Sequence, residues 1–64
     1  MKRLISLRKK LFVTQRNLAR AIGVSRQVVG HWENGRCVPT GHNLRFLALA
    51  LGVKENTVKK WFTD

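Results

Sequence analysis

Between Gln15 and Asn34 the chain reads QRNLARAIGVSRQVVGHWEN, two short helical patterns separated only by Gly23, Val24 and Ser25. The spacing predicts one helix from Gln15 to Ile22 and another from Arg26 to Glu33. Glycine tolerates the left-handed conformation that closes a helix, so Gly23 stops the first. Ser25 is a good N-cap and starts the second. So short a turn forces the two helices against each other. Leu18, Ala19, Ile22, Val24, Val29 and Trp32 are the apolar positions that join them. Arg26, Gln27, Gly30 and His31 fall on one outward face of the second helix. A helix held this way is presented to something outside the protein.

The flanking sequence extends the helical pattern in both directions. Leu4, Leu7 and Leu11 form a helical stripe, and helix 1 is expected over Lys2 to Lys10. Thr14 is the expected cap of helix 2. Val13 before that cap and Leu18 four residues after it form a hydrophobic staple. Val24 and Val29 repeat the device around Ser25. Val53 and Val58 repeat it around Lys54, which is a poor cap. Asn34-Gly35 ends helix 3. Arg36, Cys37, Val38 and Pro39 form a short loop, and Thr40 is the expected cap of helix 4, which runs to Leu51 with Gly52 as its stop. Helix 5 covers Glu55 to Phe62. No strand pattern, repeat or linker interrupts this order. The expectation is one compact all-α domain of five helices over residues 1–64.

Charge suggests the partner. Thirteen Lys and Arg oppose three acids, giving a net charge of +10 on 64 residues. That excess favours a polyanion, with nucleic acid ahead of an anionic membrane surface. A chain of this length buries only about 60% of its unfolded surface, so its core is small. Its one cysteine excludes an internal disulfide, and one Cys with two His gives no metal-site spacing. The lone thiol fits a reducing cytoplasm. No apolar run approaches the ~20 residues of a membrane span. Lysines and arginines interrupt the N-terminus where a signal peptide needs its apolar stretch. Paired carboxylates, a nucleophile–base set and a phosphate loop are all missing, so catalysis is not expected. Cys37 reads as an incidental exposed thiol.

The segment Gln15 to Asn34 resembles the helix-turn-helix of Cro/cI-type (Xre-like) phage and bacterial repressors. Ala19 and Gly23 stand where that family has its small residue and its turn glycine. Leu18, Ile22, Val24, Val29 and Trp32 stand at its apolar positions. SRQVVGHWENG from Ser25 resembles its recognition-helix segment, and Pro39-Thr40 with Asn43-Leu44, then LALALGV from Leu47, fit its helix 4. The resemblance runs from about Leu4 to Val58. It implies a lambda-repressor-like fold in which helices 2 and 3 form the helix-turn-helix. Helix 3 would then enter the major groove of double-stranded DNA.

The resemblance also implies residue roles. Ser25, Arg26, Gln27, Val28, Gly30 and His31 fall at groove-facing positions. Arg26 can pair with guanine O6 and N7, Gln27 with adenine, and Val28 with a thymine methyl. For Val28, partial burial in the domain is an equal alternative. Gly30 departs from the pattern, either to let the backbone approach DNA or as a tolerated contact-free position. Gln15 falls at the family's phosphate clamp, at a helix N-terminus that favours anions. Asn17, Asn34 and Arg36 are further phosphate candidates, and Arg16, Lys9 and Lys10 add nonspecific attraction. Glu33 would be repelled by phosphate. The resemblance pairs it with Arg8, locking helix 1 to the end of helix 3; the rival is an exposed, unpartnered Glu33.

Other departures concern the surface. Phe12 occupies a position that is often Gly. Phe46 and Leu49 stand where charged residues are common, and Arg45 where an apolar one is. Trp61 and Phe62 either close the core or wait for a partner. With Phe46 and Leu49 they form a candidate dimer interface. The expected function is a transcriptional regulator, a repressor binding an inverted repeat as a homodimer at least on DNA, in a bacterial cytoplasm. It needs no cofactor and no small-molecule ligand. It is either a short Cro-like regulator or the DNA-binding piece of a longer repressor. The alternatives are a DNA-binding antitoxin-type subunit with a protein partner and a cationic membrane-active bundle.

Overall fold

The computed structural model describes residues 1–63. Five helices follow one another: α1 (Lys2–Lys10), α2 (Gln15–Ile22), α3 (Arg26–Glu33), α4 (Gly41–Leu51) and α5 (Glu55–Thr63). No strand occurs among the described residues. The fold is all-α.

The helix boundaries follow from a turn used repeatedly. At the ends of α1, α2, α3 and α4 one residue adopts a left-handed backbone: Phe12 (φ 58°), Gly23 (φ 90°), Gly35 (φ 76°) and Gly52 (φ 71°). The next residue then turns its amide back onto the helix. Val13 donates to the Arg8 carbonyl at 3.1 Å, Val24 to Ala19 at 3.0 Å, Arg36 to His31 at 2.9 Å and Val53 to Ala48 at 3.0 Å. These bonds satisfy carbonyls that a helix end would leave without a partner.

Three of these turns lead directly into the next helix, and their valines act twice. Each closes one helix and precedes the cap of the following one. Thr14 Oγ1 accepts from the Asn17 amide at 3.0 Å, and Ser25 Oγ accepts from the Val28 amide at 3.3 Å. At Lys54 only the backbone carbonyl serves, accepting from Thr57 at 3.0 Å. The staple partners Leu18, Val29 and Val58 are all fully buried, while Val13, Val24 and Val53 pack half-buried against the same core. Thr40 differs from the sequence expectation. It occupies the cap position of α4 with extended backbone, but its hydroxyl makes no capping bond.

The core is one cluster: Leu4, Leu18, Ala19, Ile22, Val29, Trp32, Leu47, Ala48, Leu51 and Val58. Trp32 is its largest fully enclosed side chain, so the end of α3 is anchored in the centre of the molecule. α2 packs against α3 and α4, α4 packs against α5, and α1 touches both α3 and α5. The leucine stripe of α1 fades along its length. Leu4 is buried, Leu7 is half-buried, and Leu11 is exposed because the helix ends at Lys10. Among the described residues no helix is long and apolar enough to cross a membrane.

Candidate nucleic-acid interface

α3 has two unlike faces. Val29 and Trp32 point into the core, and Ala19 on α2 is almost fully enclosed where the two helices meet. A larger side chain at Ala19 would push α3 outward. On the other side Ser25, Arg26 and Gln27 are exposed, whereas Gly30 and His31 are half-exposed. Val28 is half-buried and packs against the core, so it belongs partly to each face. Ser25 already uses its hydroxyl to cap α3.

The N-terminus of α2 adds a second feature. Its first turn carries no acid. Arg8, Thr14, Gln15, Arg16 and Arg26 line an open cavity of about 490 Å³ beside it. Free amides and the positive end of the helix dipole therefore face a space bordered by three arginines, a setting that suits an anion. Asn17 is exposed one turn along α2. Asn34 forms the C-cap of α3, and Arg36 follows the left-handed Gly35; both are exposed.

Beneath that cavity lies a buried network. Arg8 Nε donates to Glu33 Oε2 at 2.5 Å, and the two residues are only 11% and 5% exposed. Arg8 Nη2 donates to Glu33 Oε1 at 3.3 Å, and Nη1 to the Val13 carbonyl at 2.9 Å. One guanidinium thus ties α1 to the end of α3 and to the turn before α2. The Met1 main-chain nitrogen donates to the Glu33 backbone carbonyl, a second tie between the start of α1 and the end of α3. Gln15 Nε2 donates to Glu33 Oε1 at 2.8 Å, and Arg26 Nη1 donates to Gln15 Oε1 at 3.2 Å. Sequence reasoning placed Gln15 and Arg26 in separate roles and missed their contact. The two are 11 positions apart and meet only because α3 packs back across α2, a contact that helical spacing does not encode.

The four apolar surface candidates divide. Phe46 and Leu49 on α4 are 42% and 70% exposed. Trp61 and Phe62 are half-buried and pack against the core cluster. His42 stacks on Phe46 with ring centroids 6.2 Å apart.

A polar-faced helix locked by its apolar side across a three-residue turn is the architecture of a DNA-reading helix-turn-helix. A family profile described as helix-turn-helix matches residues 4–58, and the chain belongs to the Cro/cI-type helix-turn-helix family of DNA-binding domains. It is 48% identical over 44 residues, 69% of its own length, to the HTH-type transcriptional regulator DicA of Escherichia coli strain K12. The matched segment spans 33% of that relative. No solved structure gives a significant match.

Proposed function

We propose that the chain is a sequence-specific transcriptional regulator that acts as a repressor by occupying an inverted-repeat operator as a dimer. The observation that carries this reading is α3, whose exposed Arg26 and Gln27 stand beside the arginine-lined cavity at the start of α2. An α-helix with its side chains is about 10–12 Å across and fits a major groove about 12 Å wide. With α3 in the groove, Arg26 and Gln27 read base edges, and His31 reaches a base or phosphate one turn further on. Gly30 faces the same groove. Gln15, Asn17, Asn34 and Arg36 hold the flanking phosphates and set the register. The excess of ten positive charges supplies attraction that weakens as salt rises. Occupancy of a promoter is sufficient for repression and needs no catalytic group. The similarity to a transcriptional regulator supports the regulatory role.

Selection from a random duplex pool at fixed salt tests this. Enrichment of one site built from two related halves is the expected result. Enrichment no greater than that of bulk DNA would reject sequence-specific regulation.

A further inference from the structure

We propose that Glu33 is a positioning residue for Arg26, acting through Gln15, so that an acid without DNA contact sets how selectively the base opposite Arg26 is read. The inference rests on the base-reading role of Arg26 proposed above.

An ionised carboxylate only accepts hydrogen bonds. Glu33 accepts from Arg8 through both oxygens and from Gln15 Nε2 at 2.8 Å through Oε1. The Gln15 amide therefore has one favourable orientation. Turned over, it would set its own oxygen against the carboxylate. With its nitrogen committed, Oε1 is free to accept from Arg26, and Arg26 Nη1 occupies it at 3.2 Å. A buried acid at one end of α3 thus orients an exposed arginine at the other end by way of a side chain on α2. Without this contact Arg26 would sample many rotamers. The contact orders it before DNA arrives and lowers the entropy lost on binding. A guanidinium has five N–H donors, so one bond to Gln15 leaves enough for a two-point contact with guanine. A guanidinium fixed in direction has fewer ways to reach a wrong base.

The experiment measures affinity of the full chain for its selected operator and for the same duplex carrying each other base pair at one position. Arg26→Ala first identifies the position where discrimination disappears. Gln15→Met and Glu33→Gln are then expected to lower discrimination at that position by at least about threefold. Neither should add a loss there when combined with Arg26→Ala. A uniform loss from the Gln15 phosphate contact cancels in the ratio between bases. If both variants weaken every duplex alike and leave discrimination intact, Glu33 is only a structural tie and the relay is overturned. If Arg26→Ala leaves every preference unchanged, base reading by Arg26 fails, and the relay falls with it. Should Glu33→Gln not fold alone, Glu33→Gln combined with Arg8→Met leaves no buried charge stranded and is read in the same way.

Discussion

Phe12 is the one non-glycine residue with positive φ among the described residues, and its ring is 94% exposed. An L-residue in that conformation costs roughly 1–2 kcal/mol. Nothing repays the cost through packing, and the equivalent turns at Gly23 and Gly52 show the alternative. Phe12→Gly should raise stability by about 1 kcal/mol, read from the urea unfolding midpoint. Phe12→Ala removes the ring but keeps the Cβ, so it should gain much less. Equal gains from the two variants would place the cost in the exposed ring instead. Gly30 poses the opposite problem. A Cβ built there meets nothing within 4 Å, so the fold does not require glycine. Inside a helix glycine costs about 1 kcal/mol relative to alanine. Gly30→Ala should therefore raise the melting temperature. If α3 lies in the groove as proposed, the same substitution should weaken operator binding, measured by titration at one salt. Unchanged binding would mark Gly30 as a contact-free position.

At the scale of the helices, the Arg8–Glu33 pair joins the first helix to the third. Both groups are largely removed from water, so breaking the pair from one side strands a charge. Arg8→Met should cost about 3 kcal/mol in chemical denaturation, and Arg8→Met with Glu33→Gln should cost clearly less than the sum of the two single changes. Additive losses would show that the two side chains do not depend on each other. The helices themselves were legible in the sequence because their signals are local. Thr14, Ser25, Gly23, Gly35 and Gly52 each act on the residues beside them, and the valine staples repeat around three caps. The apolar face of α3 was legible for the same reason, from the spacing of Val29 and Trp32. Other features depend on contacts across the fold. The link from Gln15 to both Glu33 and Arg26 brings together residues 18 and 11 positions apart, and no pattern along the chain encodes it. Thr40 had the right residue type for a cap, yet its hydroxyl makes no bond to α4. The division of the apolar surface was also hidden. Helical spacing treats Phe46, Leu49, Trp61 and Phe62 alike, and only packing separates the two on α5 from the two on α4.

The molecule measures 26 × 21 × 20 Å, so one copy is shorter than the ~34 Å between successive turns of a major groove. An inverted-repeat operator therefore requires two copies, each using its own α3. Two chains of charge +10 repel each other in free solution, and phosphates neutralise that repulsion on DNA. Pairing should accordingly be far stronger on DNA than off it. Phe46 and Leu49 lie three residues apart on one face of α4, are both exposed, and are the side chains assigned to the contact if the chain pairs as proposed. Leu49 is 70% exposed, so Leu49→Gln changes neither the core nor the charge. Its melting temperature should match that of the parent. A duplex holding one half-site should bind as before. On the proposed inverted repeat, the parent is expected to bind cooperatively relative to its half-site, and Leu49→Gln should shrink that gain. If the gain is retained, the two copies meet elsewhere, and Trp61→Ala tests the α5 end of the same surface. That variant opens a half-buried position against the core, so a lower melting temperature is expected with it. Only Leu49→Gln separates association from folding, because at that position the side chain has water, and no core residue, to lose.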